Sequence, residues 1–161
     1  MGESDNLVIF KAEQFHALAI HRLIEEVLGS YDLYNRRPTY VDNDIDDLFT
    51  HYFNNKGYFW VAKIGNQNIL ATVAIYKIDD NTCELRKMYL RTQEHGKGIG
   101  KLLLNKAIAK AKEIGYTKMV LKTNSKLNTA IGMYQKYGFS YCVISDEDKL
   151  TDCDVAMELD L

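Results

Sequence analysis

Three apolar runs follow one another with almost nothing between them: YFWVAKI (58–64), NILATVAIYKI (68–78) and CELRKMYLR (83–91). The first two are rich in β-branched and aromatic residues, and all three have the length of a strand. Asn66 stands in the first gap and Asp79-Asp80-Asn81 in the second. Turn formers over gaps this short permit only tight reversals, so the three strands run as an antiparallel meander. Such a meander has apolar faces to bury, and the rest of the chain must cover them.

The flanking segments supply the cover. NLVIFK (6–11) reads as a short strand. From Glu13 to Leu28, Phe15, Ala19, Leu23 and Val27 recur at helical spacing, and Gly29-Ser30 ends the helix. YDLYNRRPTY (31–40) is a polar, aromatic-rich loop, after which Asp42 or Asp44 caps a second short helix running to about Phe53. Beyond the meander come a helix from about Gly98 to Ile114 closed by Gly115, a strand at 117–123, and a helix at 128–137 ending at Gly138. FSYCVIS (139–145) and CDVAMEL (153–159) close the chain as strands. Hairpins joined to two helical crossovers predict an α/β fold with a mixed, largely antiparallel sheet of about seven strands and helices on both faces.

Composition narrows the function classes. The 161 residues carry 20 basic and 22 acidic side chains, a net charge of −2, so there is no general attraction to nucleic acid or an anionic membrane. No linker or repeat divides the chain, which predicts one domain over 1–161. Cys83, Cys142 and Cys153 form no CxxC pair, and MGESDNLVIF lacks the features of a signal peptide. The expectation is a reduced, cytoplasmic chain. His16, His21, His51 and His95 are scattered, and no metal site is expected.

Between the third strand of the meander and the following helix lies RTQEHGKGIGKLL (91–103), with glycines at 96, 98 and 100 and lysines at 97 and 101. A helix N-terminus exposes unpaired amides and the positive end of the helix dipole. Glycine lets a ligand reach those amides, so Gly96 to Lys101 can cradle a phosphate or pyrophosphate. The spacing fits neither GxxxxGK[ST] nor GxGxxG, since Leu102 stands where a Walker loop needs Ser or Thr. It does satisfy Q/R-x-x-G-x-G/A through Gln93, Gly96 and Gly98.

About thirty residues on lies AIGMYQKYGF (130–139). The pairing of QEHGKGIG with AIGMYQKYGF, with a helix and a strand between, resembles the GNAT N-acetyltransferase superfamily, and the order of elements matches over nearly the whole chain. The resemblance implies acetyl-CoA as co-substrate and an amine of a small molecule or peptide as acceptor, attacked directly in a ternary complex. It implies that the pyrophosphate rests on Gly96, Lys97, Gly98, Ile99, Gly100 and Lys101. The pantetheine arm would lie along Met88, Tyr89 and Leu90, with the Leu90 N–H on the thioester oxygen, and the strand at 117–123 would splay from that at 83–91. Tyr134 matches the family's tyrosine, placed to hydrogen-bond or protonate the departing sulfur. Asn124 stands where the family often has a cofactor-contacting asparagine, and Asn128 lies one place from the more usual position at Leu127, so the resemblance implies both as cofactor contacts, against a helix N-cap for Asn124. Glu84 is the leading choice for the base that receives the amine proton, against the plain alternative of an exposed strand-end carboxylate. Tyr31, Tyr34 and Tyr40 form either an aromatic wall of the acceptor pocket or a solvent-facing loop. The resemblance leaves a homodimer open, and the other reading of the chain is a non-catalytic CoA-binding sensory module of the same fold.

Overall fold

The computed structural model describes residues 6–34 and 41–161. Its elements are β1 (Leu7–Lys11), α1 (Ala17–Gly29), β2 (Tyr58–Ile64), β3 (Ala71–Lys77), β4 (Thr82–Leu90), α2 (Ile99–Ile114), β5 (Lys118–Thr123), α3 (Asn128–Lys136), β6 (Ser140–Cys142) and β7 (Val155–Asp160). One seven-stranded sheet runs in the order β1-β2-β3-β4-β5-β7-β6. Every neighbouring pair is antiparallel except β4 and β5. The meander is therefore the half β2-β3-β4, and α2 is the crossover that makes β5 parallel to β4.

β2 shows why its run FWVA has no polar alternation: both faces are covered. Phe59 and Val61 pack with Ile20, Leu23, Ile24 and Leu28 of α1. Trp60, Ala62 and Ile64 point the other way, into a core built from Ile99, Leu103, Leu104 and Ala107 of α2 and Ile131 and Tyr134 of α3. Helices thus lie on both faces.

Three expected elements come out shorter or different. The strand read from residue 68 starts at Ala71, because the chain before it still completes the turn, with Gln67 N–H bonded to Ile64 C=O. β6 stops at Cys142, where its register with β7 ends, and Val143 is 95% exposed. The second helix is a 3₁₀ turn at Asn43–Asp47 followed by a π turn at Phe49–Phe53. Neither Asp42 nor Asp44 caps it; their carboxylates turn to Lys87, while Asp47 Oδ1 accepts from Thr50 N–H and Gln14 Oε1 from Leu48 N–H. With its first turns bonded to other groups, the segment never settles into an α-helix.

The pairing of β3 with β4 carries a bulge. Thr72 faces Tyr89 and Ala74 faces Arg86, so two steps on β3 match three on β4. Lys87 sits at the bulge with φ of 53°, in the left-handed region, and its carbonyl accepts from Thr72 Oγ1 at 2.6 Å. The extra residue shifts the strand's phase. Cys83 and Leu85 belong to the core under α2 and α3; after the bulge Met88 and Leu90 join it, while Tyr89 packs on the α1 side.

Candidate active site

β4 and β5 are paired only from Thr82↔Lys118 to Leu85↔Leu121. Beyond Leu85 the two strands part, and the expected splay is present. Arg91 N–H bonds Leu70 C=O on β3. Backbone groups alternate sides along an antiparallel pair, so the Leu90 N–H is turned away from β3, into the wedge.

Below the wedge stands the N-terminus of α2. Gly96 and Gly98 have φ of 82° and 81°, and nothing lies within 4 Å of where a Cβ on either would project. The backbone conformation is one that side chains disfavour by about 1–2 kcal/mol per residue, and the space in front of it is clear. Ile99, Gly100 and Lys101 begin the helix, with amides that have no intrahelical acceptor. A cleft of about 560 Å³ runs over these residues, past Asn128 of α3 and up to Met88, Tyr89 and Leu90. An anion on the helix N-terminus and an extended chain along the β4 edge both fit this shape.

A second cavity of about 420 Å³ adjoins the first and shares Met88, Tyr89 and Leu127 with it. Tyr134 lines it. That phenol is 4% exposed, burial pushes its pKa well above the usual tyrosine value, and among the described residues its hydroxyl has no hydrogen-bond partner. It therefore stays protonated and keeps its O–H for another group.

The floor of this cavity is ionic. Glu84 is 5% exposed, not the solvated strand-end group its position allowed. Its Oε1 accepts from Arg86 Nε, and Lys122 Nζ stands 3.3 Å from its Oε2. Lys122 also holds Asp148 at 2.9 Å, and Asp148 accepts from Ser145 Oγ at 2.7 Å. Two carboxylates raise the Lys122 pKa against the desolvation that lowers it, and Glu84 does the same for Arg86. The Arg86 guanidinium lies 3.7 Å from the centre of the Tyr76 ring.

The residues singled out from the sequence divide in place. Met88, Tyr89, Leu90, Gly96, Gly98, Ile99, Gly100, Lys101 and Asn128 line the helix-terminus cleft, and Tyr134 and Glu84 the second cavity. Gln93 is exposed in the 3₁₀ turn Thr92–Glu94, and Lys97 pairs with Glu94 at 2.8 Å. Asn124 is committed to the backbone: its Nδ2 donates to Asp152 C=O and its Oδ1 accepts from Lys126 N–H. Tyr31 lines the helix-terminus cleft rather than the second cavity, Tyr34 is 39% exposed, and Tyr40, with Arg36 and Arg37, lies outside the described residues. Arg86, Lys87, Lys122 and Thr72 were missed. The adjacent charges Arg86-Lys87 break the two-residue alternation of β4 and were the available signal for the bulge.

The model of the Acetyltransferase (GNAT) family matches residues 20–139. The chain is 30% identical over 129 residues to the uncharacterized N-acetyltransferase YjgM of Escherichia coli, covering 76% of this chain and 75% of the relative. It is 32% identical over 106 residues to N-acetyltransferase 8F1 of Rattus norvegicus, covering 63% of this chain, and spans about half (48%) of that longer relative. Among solved structures, a GNAT-family acetyltransferase of Staphylococcus aureus superposes with a TM-score of 0.86 at 24% identity, over 96% of this chain and 98% of that one. The PaiA N-acetyltransferase of Thermoplasma acidophilum, solved in complex with coenzyme A, superposes at 0.77 with 18% identity, over 96% and 99%. No helix among the described residues is long and apolar enough to cross a membrane. A sheet shared with these structures, and a family match over more than half its length, make this chain a member of the GNAT family of acetyltransferases.

Proposed function

We propose that the chain, as one domain, transfers an acetyl group from acetyl-CoA to the amine of a small molecule or peptide, by direct attack with both substrates bound. The observation that carries this reading is the meeting of two cavities at Met88, Tyr89 and Leu127. One has an anion-binding helix terminus; the other has a buried, protonated tyrosine.

Acetyl-CoA supplies, when bound, an acyl group activated as a thioester and a pyrophosphate as its handle. The amides of Ile99, Gly100 and Lys101 receive the pyrophosphate, with Gly96 and Gly98 keeping the approach clear. Met88 to Leu90 offer their free edge in the wedge, and the Leu90 N–H meets negative charge that develops on the acyl oxygen. A fixed donor of this kind is worth roughly 3–4 kcal/mol to acyl transfer. The Tyr134 O–H hydrogen-bonds the departing sulfur, and burial favours keeping a proton on the phenol; any proton it passes to the sulfur is replaced by the one the attacking nitrogen sheds as the adduct collapses. Glu84 is assigned here as an anchor. Both its oxygens are engaged by cations, so receiving a proton would mean displacing Arg86 or Lys122. The proton of the ammonium leaves to solvent through the open cavity.

The test is CoA release from acetyl-CoA across a panel of amino acids, peptides, polyamines and aminoglycosides. Amine-dependent release with intersecting initial-velocity lines is expected. Parallel lines would point to an acyl-enzyme on Cys153, which lines the second cavity. Tight acetyl-CoA binding with no turnover would make the chain a CoA-binding module instead.

A further inference from the structure

The acceptor cavity is lined by Arg86, Lys87 and Lys122 on one side of the ledger of charge and by Glu84, Glu147, Asp148 and Asp152 on the other. Counted naively, this favours a cationic guest. The count misleads, because the floor carboxylates are already neutralised. Glu84 has two cations and Asp148 has Lys122. Lys122 is in turn shared between two carboxylates, and the ammonium of Lys87 is 2.6 Å from Asp42 and 3.2 Å from Asp44, behind the strand. Arg86 differs from both lysines. Its Nε is held by Glu84 and its plane is fixed on the Tyr76 ring, while its side chain remains 28% exposed and lines the cavity. A guanidinium has five N–H donors. Glu84 takes one, the Tyr52 phenol lies against the group and Asp44 adds a second negative charge near it; five donors outnumber these partners, which leaves terminal N–H for a guest. A rigid, pre-oriented guanidinium edge is the geometry that binds a carboxylate through two parallel hydrogen bonds.

Resting on the acetyl-transfer reading above, we propose that the acceptor is an amine that also bears a carboxylate, a free amino acid or short peptide, and that Arg86 receives the carboxylate. The volume of about 420 Å³ suits one small molecule. Arg86 lies four residues before Leu90 on β4, at most about 13 Å along a strand. The long arginine side chain spans part of that distance, and a guest of amino-acid or dipeptide length spans the rest. Glu147, which lines the same cavity, gives the ammonium end a negative group. A polyamine would bring a second cation against Arg86 and Lys122, whose own counter-ions it would have to strip.

The experiment compares kcat/KM for amino acids and dipeptides with that for their C-terminal amides, their decarboxylated amines and spermidine, at equal concentrations of free amine. The free acids should be preferred on the order of 10²-fold, the size of two charge-assisted hydrogen bonds lost. Amides, decarboxylated amines or spermidine used as well or better would overturn the carboxylate proposal and leave acetyl transfer standing. No CoA release with any amine would overturn both. In Arg86→Gln the preference for acid over amide should collapse toward one, through KM rather than kcat. An unchanged ratio there would remove Arg86 from the role. Should Arg86→Gln fail to fold, Arg86→Lys retains a cation for Glu84 but loses the two-pronged edge, and the ratio should still fall at least about 10-fold.

Discussion

Replacing Lys87 by Met tests the buried charge cluster behind β4. The Lys87 side chain is 5% exposed, and its partners Asp42 and Asp44 are 13% and 9% exposed. Nζ reaches Asp42 Oδ1 at 2.6 Å and the Val41 carbonyl at 3.1 Å. Asp44 Oδ2 is held by the Tyr52 hydroxyl, but Asp44 Oδ1 accepts no well-directed hydrogen bond; its nearest cation is Lys87, 3.2 Å away, with Arg86 acting on the carboxylate as well. Removing one partner of a buried pair costs about 3–5 kcal/mol, because the other charge is left uncompensated. Methionine keeps the stem's volume and the left-handed backbone of position 87, so the charge is the main thing lost. For a chain of this size 1 kcal/mol moves Tm by about 2–4 °C, which gives a fall on the order of 6–20 °C.

Two controls separate charge from backbone. Lys87→Gly also removes the ammonium but relieves the cost of φ at 53°, about 1–2 kcal/mol, less the entropy that glycine loses on folding. It also empties the volume of the buried stem, at about 2–5 kcal/mol, so it should be less stable than Lys87→Met. Lys87→Met combined with Asp42→Asn and Asp44→Asn removes the two carboxylates that lose this cation and should recover most of the loss. Urea unfolding followed by circular dichroism measures all three. A Lys87→Met variant within about 1 kcal/mol of the parent, or a triple variant no better than the single one, would refute the reasoning.

Tyr134→Phe should lower kcat by roughly 10²-fold while leaving acetyl-CoA affinity unchanged; a normal kcat with chemistry rate-limiting would return Tyr134 to a packing role. Gly98→Val should weaken acetyl-CoA binding at least about 10-fold in a folded protein, since it fills the approach to the α2 amides and strains a backbone that costs a side chain about 1–2 kcal/mol; unchanged affinity by calorimetry would sink the cradle. Glu84→Gln should lower kcat/KM to a similar degree at every pH, through loosened Arg86 and Lys122; a loss confined to low pH and rescued at high pH would instead make Glu84 the base. Burial raises the Cys83 thiol from 9.0 to about 12. The unfolded chain therefore ionises first, and stability present below pH 9 should fall by up to about 4 kcal/mol as pH rises toward 12. Cys83→Ala should flatten that fall.

What the sequence made legible was whatever local chemistry decides. Strand runs bounded by Asn and Asp gave the meander, and glycines before an amphipathic run gave the helix terminus. Tyr134 was singled out by its place in a motif, not by its type, since the chain has 11 tyrosines. What was not legible depends on partners distant in sequence. Asp42 and Asp44 look like helix caps because nothing nearby shows that Lys87, more than 40 residues on, will claim them. Glu84 looks like an exposed strand end because Lys122, on a strand reached only through the α2 crossover, is what buries it. That Lys97 pairs with Glu94 was likewise not read from the sequence.

The bulge at Lys87 connects the two halves of the site. On an unbroken strand Glu84, Arg86, Met88 and Leu90 would share one face, and Met88 and Leu90 would follow the ionic floor. The inserted residue reverses the phase, so Met88 and Leu90 pack with Cys83 and Leu85 on the side of α2 and α3. Thr72 pins the Lys87 carbonyl to β3, and Lys87 Nζ ties the bulge to residues 41–44 behind it. β4 is thereby held to β3 across the irregularity, while its other edge, released from β5 after Leu85, faces the wedge. Glu84 to Arg86, before the bulge, then line only the second cavity, Met88 and Tyr89 line both, and Leu90 lines only the cleft that leads to the helix terminus. A left-handed lysine, costly at an ordinary position, is maintained here by two aspartates and a threonine because both cavities depend on where it puts the strand.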